Sequence, residues 1–208
     1  MRKLIASTLA AASLATTALF AGPASANGGP AAKPTIAGIV AASAKDNGGR
    51  DFDRNGRDFD ILLEAVKTAG LVDALNDPKA SLTVFAPDDN AFIRTARDLG
   101  FTGWDEQGAW DAIAGTLTTL GGGNPVGPLT KVLTYHVAPG RLGPLEVLIT
   151  GSTKGISTLE GESIRVDFLR LVDKSPTPDA YLNIFALNVQ AQNGVIHGIT
   201  RVLLPTLP

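Results

Sequence analysis

Four carboxylates and one amide crowd the ten residues Asp51-Phe-Asp-Arg-Asn-Gly-Arg-Asp-Phe-Asp60, and their spacing is that of a metal loop. Asp51, Asp53, Asn55 and Gly56 match positions 1, 3, 5 and 6 of an EF-hand calcium loop, and the Arg57 carbonyl could serve at position 7. Position 12, which supplies a bidentate Glu in such loops, is Leu62. That leucine belongs to the apolar face of the helix that follows, so it cannot be exchanged for a ligand. The residues favour a simpler arrangement. Asn55-Gly56 makes a tight turn, Phe52 and Phe59 pack back onto the domain, and Asp58 and Asp60 face the positive end of a helix. The expectation is no metal, with calcium on Asp51, Asp53 and Asn55 as the alternative.

The other residues with chemical potential are His136 and His197, the two histidines of a chain without cysteine. Neither belongs to an H-x-x-x-H or H-E-x-x-H pair, no G-x-S-x-G elbow occurs, and "GGGNPVG" lacks the lysine of a phosphate loop. His197 shares a strand face with Val195, Ile199 and Leu203, which predicts a core histidine bonded to backbone. His136 sits at a helix-to-strand junction, where one ring nitrogen would anchor the turn before Pro139-Gly140. Buried and neutral, both would destabilise the fold when protonated in mild acid. With no nucleophile–base pair the expectation is no enzyme and no cofactor.

The segments that must position these residues begin after residue 26. Arg2-Lys3, an apolar Leu4–Phe20 run and Ala24-Ser25-Ala26 have the order of a secretory signal peptide, residues 1–26. The mature chain of about 180 residues would be secreted, extracellular and bacterial. Without cysteine it has no disulfide, so it depends on its apolar core. The formal charge of −2, more negative once Arg2 and Lys3 leave, argues against nucleic acid or an anionic membrane as partner. Residues 27–57 are expected to be a flexible leader and turn, Gly-, Pro- and Ala-rich to about Pro34.

Apolar spacing then predicts a helix capped by Asp60 with Ile61, Leu62, Ala65, Val66 and Ala69 inside, closed by Gly70. "SLTVFAP" (81–87) reads as a buried strand ended by proline. Asp88 or Asp89 caps a helix with Ala91, Phe92, Thr95, Ala96 and Leu99 on one side. A third helix covers about 107–120, with Trp110, Ile113, Ala114 and Leu117 inward, and a short fourth buries Leu129, Val132 and Leu133. From Val147 onward short strands dominate, of which "SIRVDF" (163–168) alternates apolar and polar residues. Helices first and strands later give an α+β class.

"LTVFAPDDNAF" (82–92), "LTYHVAPG" (133–140) and "NGVIHGITRVLLP" (193–205), in this order, resemble the fasciclin (FAS1) domain, and "DFDILLEAVKTAGLVDAL" resembles its first helix. The resemblance covers about 58–205 as a single domain. It implies a wedge or sandwich of about seven strands with helices packed at one side. The two signature segments would be neighbouring central strands, with Thr83, Phe85, Pro87, Phe92, Asn193, Gly194 and His197 at structural positions. Thr200 stands where the family usually has an acidic residue, and the segment from Gly103 to Pro128 is longer than in compact members. The resemblance further implies adhesion to a cell-surface or matrix component, protein or polysaccharide, through a reachable Tyr135-His136. Trp104, between Gly103 and Asp105, is a further candidate anchor, whereas Trp110 fits the core. The alternative is a carrier of an apolar small ligand, pigment or lipid, held between helices and sheet.

Overall fold

Leu82–Pro87 (β1) is β-branched and aromatic, and apart from Leu82 it is buried throughout, as a strand covered on both faces must be. It is the hub of the molecule. The coordinates, a computed structural model, describe residues 32–44 and 52–207. The expected signal segment 1–26 and Asp51 lie outside the described residues.

β1 runs antiparallel to Val137–Pro139 (β2) and parallel to Gly194–Ile199 (β8), in the register Leu82↔Gly194 to Pro87↔Ile199. Val189–Ala191 (β7) completes a sheet of order β2-β1-β8-β7. The two signature segments are therefore adjacent central strands, as the resemblance implied. A second sheet of order β3-β4-β5-β6 contains Ile156–Ser157, Ser163–Asp167, Arg170–Val172 and Ala180–Tyr181. β4 alternates exposed and buried residues, the pattern its sequence predicts.

Seven helices surround the sheets among the described residues: Ile36–Ser43 (α1), Asp60–Thr68 (α2), Val72–Asn76 (α3), Asp89–Asp98 (α4), Glu106–Leu120 (α5), Val126–Tyr135 (α6) and Pro144–Thr153 (α7). Successive strand residues face opposite sides. Val84 and Ile196 thus join a core with Ile61, Phe92, Ile113 and Leu133 of the helices. Phe85 and Ile199 join a second core with Ile164, Leu171 and Leu203. Phe52, Phe59 and Trp110 pack against the first core, but Leu99 lies largely outside it.

Two expectations need correction. The leader expected over 27–57 contains α1, which Thr35 caps by accepting the Gly38 N–H at 3.1 Å, and whose Ile36 and Val40 are buried. Those two residues are four apart and share one helical face, a short signal hidden in an Ala- and Gly-rich stretch. Asp60 is the first residue of α2 rather than its cap. The cap comes from α4, where the Asp89 carboxylate accepts the N–H groups of Asp60 (3.1 Å) and Ile61 (2.9 Å).

Candidate functional site

The family positions form a buried spine whose polar groups are all occupied by backbone. Asn193 precedes β8; its Oδ1 accepts the Ile36 N–H at 2.8 Å, and its Nδ2 donates to the carbonyls of Leu75 and Asp77, each at 2.9 Å. It ties α1 and the end of α3 to the central strand. At Gly194 a Cβ would lie 2.3 Å from the Leu82 carbonyl oxygen and 2.6 Å from Ile36 Cδ1, so only glycine admits this approach. Thr83 Oγ1 donates to the Gly140 carbonyl (2.7 Å) and accepts the Leu142 N–H (2.8 Å). Phe85, Pro87 and Phe92 are buried in the same spine.

The histidines act as staples. His136 Nδ1 donates to the Val132 carbonyl at 2.8 Å and Nε2 accepts the Leu203 N–H at 2.9 Å. His197 Nε2 donates to the Leu142 carbonyl at 2.8 Å and Nδ1 accepts the Asn188 N–H at 3.3 Å. Each arrangement needs a neutral ring. Burial pushes His136 down from 6.5 to about 4, only partly opposed by its bond to Val132, and lowers His197 as well. Neither ring has a nitrogen left to act as a base.

Tyr135 and His136 do not reach the surface, contrary to the resemblance-based expectation. Tyr135 is wholly buried in the second core, and His136 is 3% exposed. The side chains follow the inward face of α6 into the helix-to-strand junction. Burial first, then the charges of Asp173, Glu162 and Glu160, raise the Tyr135 hydroxyl well above its usual range. Trp104, the candidate anchor, is 72% exposed, with the Arg97 guanidinium stacked 3.6 Å from its ring centre.

Sequence reasoning missed the two aromatic residues with the highest fractional exposure among the described residues. Phe185 is 93% and Phe168 78% exposed, and Ile184 and Tyr181 are each about half exposed. Phe168 occupies the tight β4–β5 turn at φ 56°. The Arg170↔Tyr181 pairing and the Leu182 N–H to Leu169 carbonyl bond (2.8 Å) bring that turn beside the segment leading to Ile184 and Phe185. Strand pairing brings the Phe168 turn to the segment that carries Tyr181, with Ile184 and Phe185 a few residues further on, a proximity that single-sequence periodicity does not reveal.

A second convergence gathers carboxylates from four segments. Asp53, Asp58 and Glu106 offer oxygens within 4.8 Å of one another, and so do Asp58, Asp60 and Asp89. The turn carrying Asp53 and Asp58 is fastened to α4 by the Asp89 N–H to Asp58 carbonyl (3.1 Å) and Asn90 N–H to Gly56 carbonyl (2.8 Å) bonds. At Arg54, in the left-handed region at φ 78°, the N–H donates to Glu106 Oε2 at 3.0 Å. Burial foremost, then the charges of Asp58, Asp53 and Glu106, push Asp60 up from 3.8 to about 7. Burial and a hydrogen bond shared with Asp58 also raise Asp89, and burial raises Glu106.

Two apolar crevices, of about 110 and 80 Å³, lie within the helical core. Pockets that enclose small ligands hold about 300–1,000 Å³, so neither has room for a pigment or lipid.

A family model described as the fasciclin domain matches residues 57–205. Protein sll1483 of Synechocystis sp. (strain ATCC 27184 / PCC 6803 / Kazusa) is 31% identical over 149 residues, 72% of this chain and 68% of that protein. The FAS1 domain pair of the insect cell adhesion molecule fasciclin I superposes with a TM-score of 0.54 at 17% identity. That alignment covers 83% of this chain and 51% of the pair, so the chain spans about half of that protein's length, and the likeness is one of fold.

Proposed function

This chain belongs to the fasciclin domain family, and on that premise we propose that it is an exported, non-catalytic recognition module that docks onto a cell-surface or extracellular-matrix component. The observation that carries the reading is the exposed set Phe168, Tyr181, Ile184 and Phe185. Large apolar side chains left in water cost solvation, and exposed on the β4–β5 turn and on the segment around and after β6 they suit interface anchors. The signature histidines support a non-catalytic role, because their ring nitrogens are spent on backbone groups. The cell-adhesion role of the insect relative fits, and the signal-like residues 1–26 fit export.

The docking surface is thus shifted from Tyr135-His136 to the β4–β5 turn and the segment after β6. A test is binding of the purified chain to cells and extracellular polymer of its source, compared with the double variant Phe168→Asp/Phe185→Asp. The expected result is at least a tenfold loss of binding with an unchanged melting temperature. Equal binding by the variant removes this surface from the proposal, and no binding by either protein removes the recognition role. Export is checked separately by the N-terminal residue of protein recovered from the medium, expected at Asn27.

A further inference from the structure

The acidic basin has features that a merely solvated cluster lacks. Asp60 is 3% exposed and lies close enough to Asp58, Asp53 and Glu106 to feel their charges, and although the Asp53 backbone N–H tempers its rise, neither carboxylate oxygen makes a full hydrogen bond. Glu106 is 2% exposed, and while its Oε2 holds the Arg54 N–H, Oε1 has no partner. Among the described residues, no Lys or Arg forms an ion pair with Asp53, Asp60, Asp89 or Glu106. Buried carboxylate oxygens without full hydrogen bonds or counter-charges are costly, and the cost is met either by taking up a proton or by holding a cation.

The geometry fits one ion. Oxygens bound to a common Ca²⁺ at about 2.3–2.6 Å are at most about 5 Å apart, and the Asp53, Asp58 and Glu106 oxygens fall within 4.8 Å. The triad containing Asp89 is the poorer choice, because that carboxylate already caps α2. Donors that are all hard oxygens, on a turn rather than a rigid octahedral cage, select calcium over zinc and magnesium. The sequence objection to calcium was the leucine at position 12 of the loop. In the fold, the missing acidic ligand comes from another helix, 44 positions beyond Leu62.

We propose that Asp53, Asp58 and Glu106, with the Asp60 carboxylate close to them, bind one Ca²⁺ that locks the 52–58 turn onto the N-terminal ends of α2, α4 and α5. Extracellular calcium would then set the rigidity of this side of the domain, independently of the docking surface proposed above.

The full chain is stripped with a chelator and titrated with CaCl₂ or MgCl₂, following binding heat and melting temperature. One Ca²⁺ per chain is expected, with a rise of about 5 °C or more at millimolar calcium and a much smaller shift with Mg²⁺. Glu106→Gln keeps an oxygen for the Arg54 N–H and Asp53→Asn keeps the shape of the turn, so both should fold. Each should weaken calcium binding at least tenfold. Absence of binding heat and of a melting shift at about 10 mM calcium overturns the site. Undiminished binding by both variants places the ion elsewhere and overturns it too, while an equal response to Mg²⁺ overturns the assignment to calcium.

Discussion

The signature spine and the acidic basin both sink polar groups into an apolar fold, but they satisfy them in opposite ways. In the spine, Asn193, His136 and His197 each bond backbone groups on both sides. In the basin, Asp60 and Glu106 leave carboxylate oxygens without a full hydrogen bond. Burial of a satisfied polar group adds specificity at little net cost, whereas an unsatisfied one is a standing penalty. The spine's polar residues therefore hold the fold together, and the basin's residues strain it until something joins them.

The largest effect that could break this contrast is at Asn193. Asn193→Leu strands the Ile36 N–H and the Leu75 carbonyl and leaves the Asp77 carbonyl with only the Ala80 N–H, and a loss of about 3 kcal/mol or more is expected. Urea midpoints measure it, and a loss below about 1 kcal/mol would mean that the spine is not held this way.

Next in size is the response to acid. His136 sits near 4 in the fold against 6.5 unfolded, so the native state binds fewer protons and its stability falls as pH drops below 6.5. From pH 7 to 5 this loss is about 2 kcal/mol. Asp60, raised to about 7, has the opposite sign: its contribution is fullest below 3.8 and fades as pH rises toward 7. The histidine part is isolated by comparison with His136→Gln, whose decline between pH 7 and 5 should be about 2 kcal/mol smaller than that of the parent. Parallel pH curves for the two proteins would contradict a buried neutral ring.

The smallest effect has the reverse direction. In chelator, Asp60→Asn removes a buried charge that has no counter-charge, and a gain of about 1 kcal/mol is expected. A loss comparable to that of Asn193→Leu would show the basin to be as well satisfied as the spine, and the contrast would collapse.

Much of the spine was legible in the sequence because it is written locally. β1, the Asp88-capped α4 and the alternation in β4 follow from residues adjacent in the chain. The basin was only half legible. Asp53 and Asn55 advertise a loop, but Glu106 and Asp89 arrive from distant helices. The same limit hid the approach of the Phe168 turn to the Tyr181 segment, which follows from the pairing of β5 with β6. At Tyr135-His136 the resemblance carried an expectation of exposure that the inward face of α6 does not allow. Helix α1 was lost to composition, since alanine and glycine on its outer side masked the two residues that bury.

The parallel β1–β8 pairing has a kinetic consequence. Its partners are about 110 residues apart in the chain, a long loop to close before either strand is covered. A ribosome finishes the second strand only after most of the domain has been made, so the central sheet cannot form early. The chain therefore stays open along its centre through most of its own synthesis, and the last-made strand is the one that closes it.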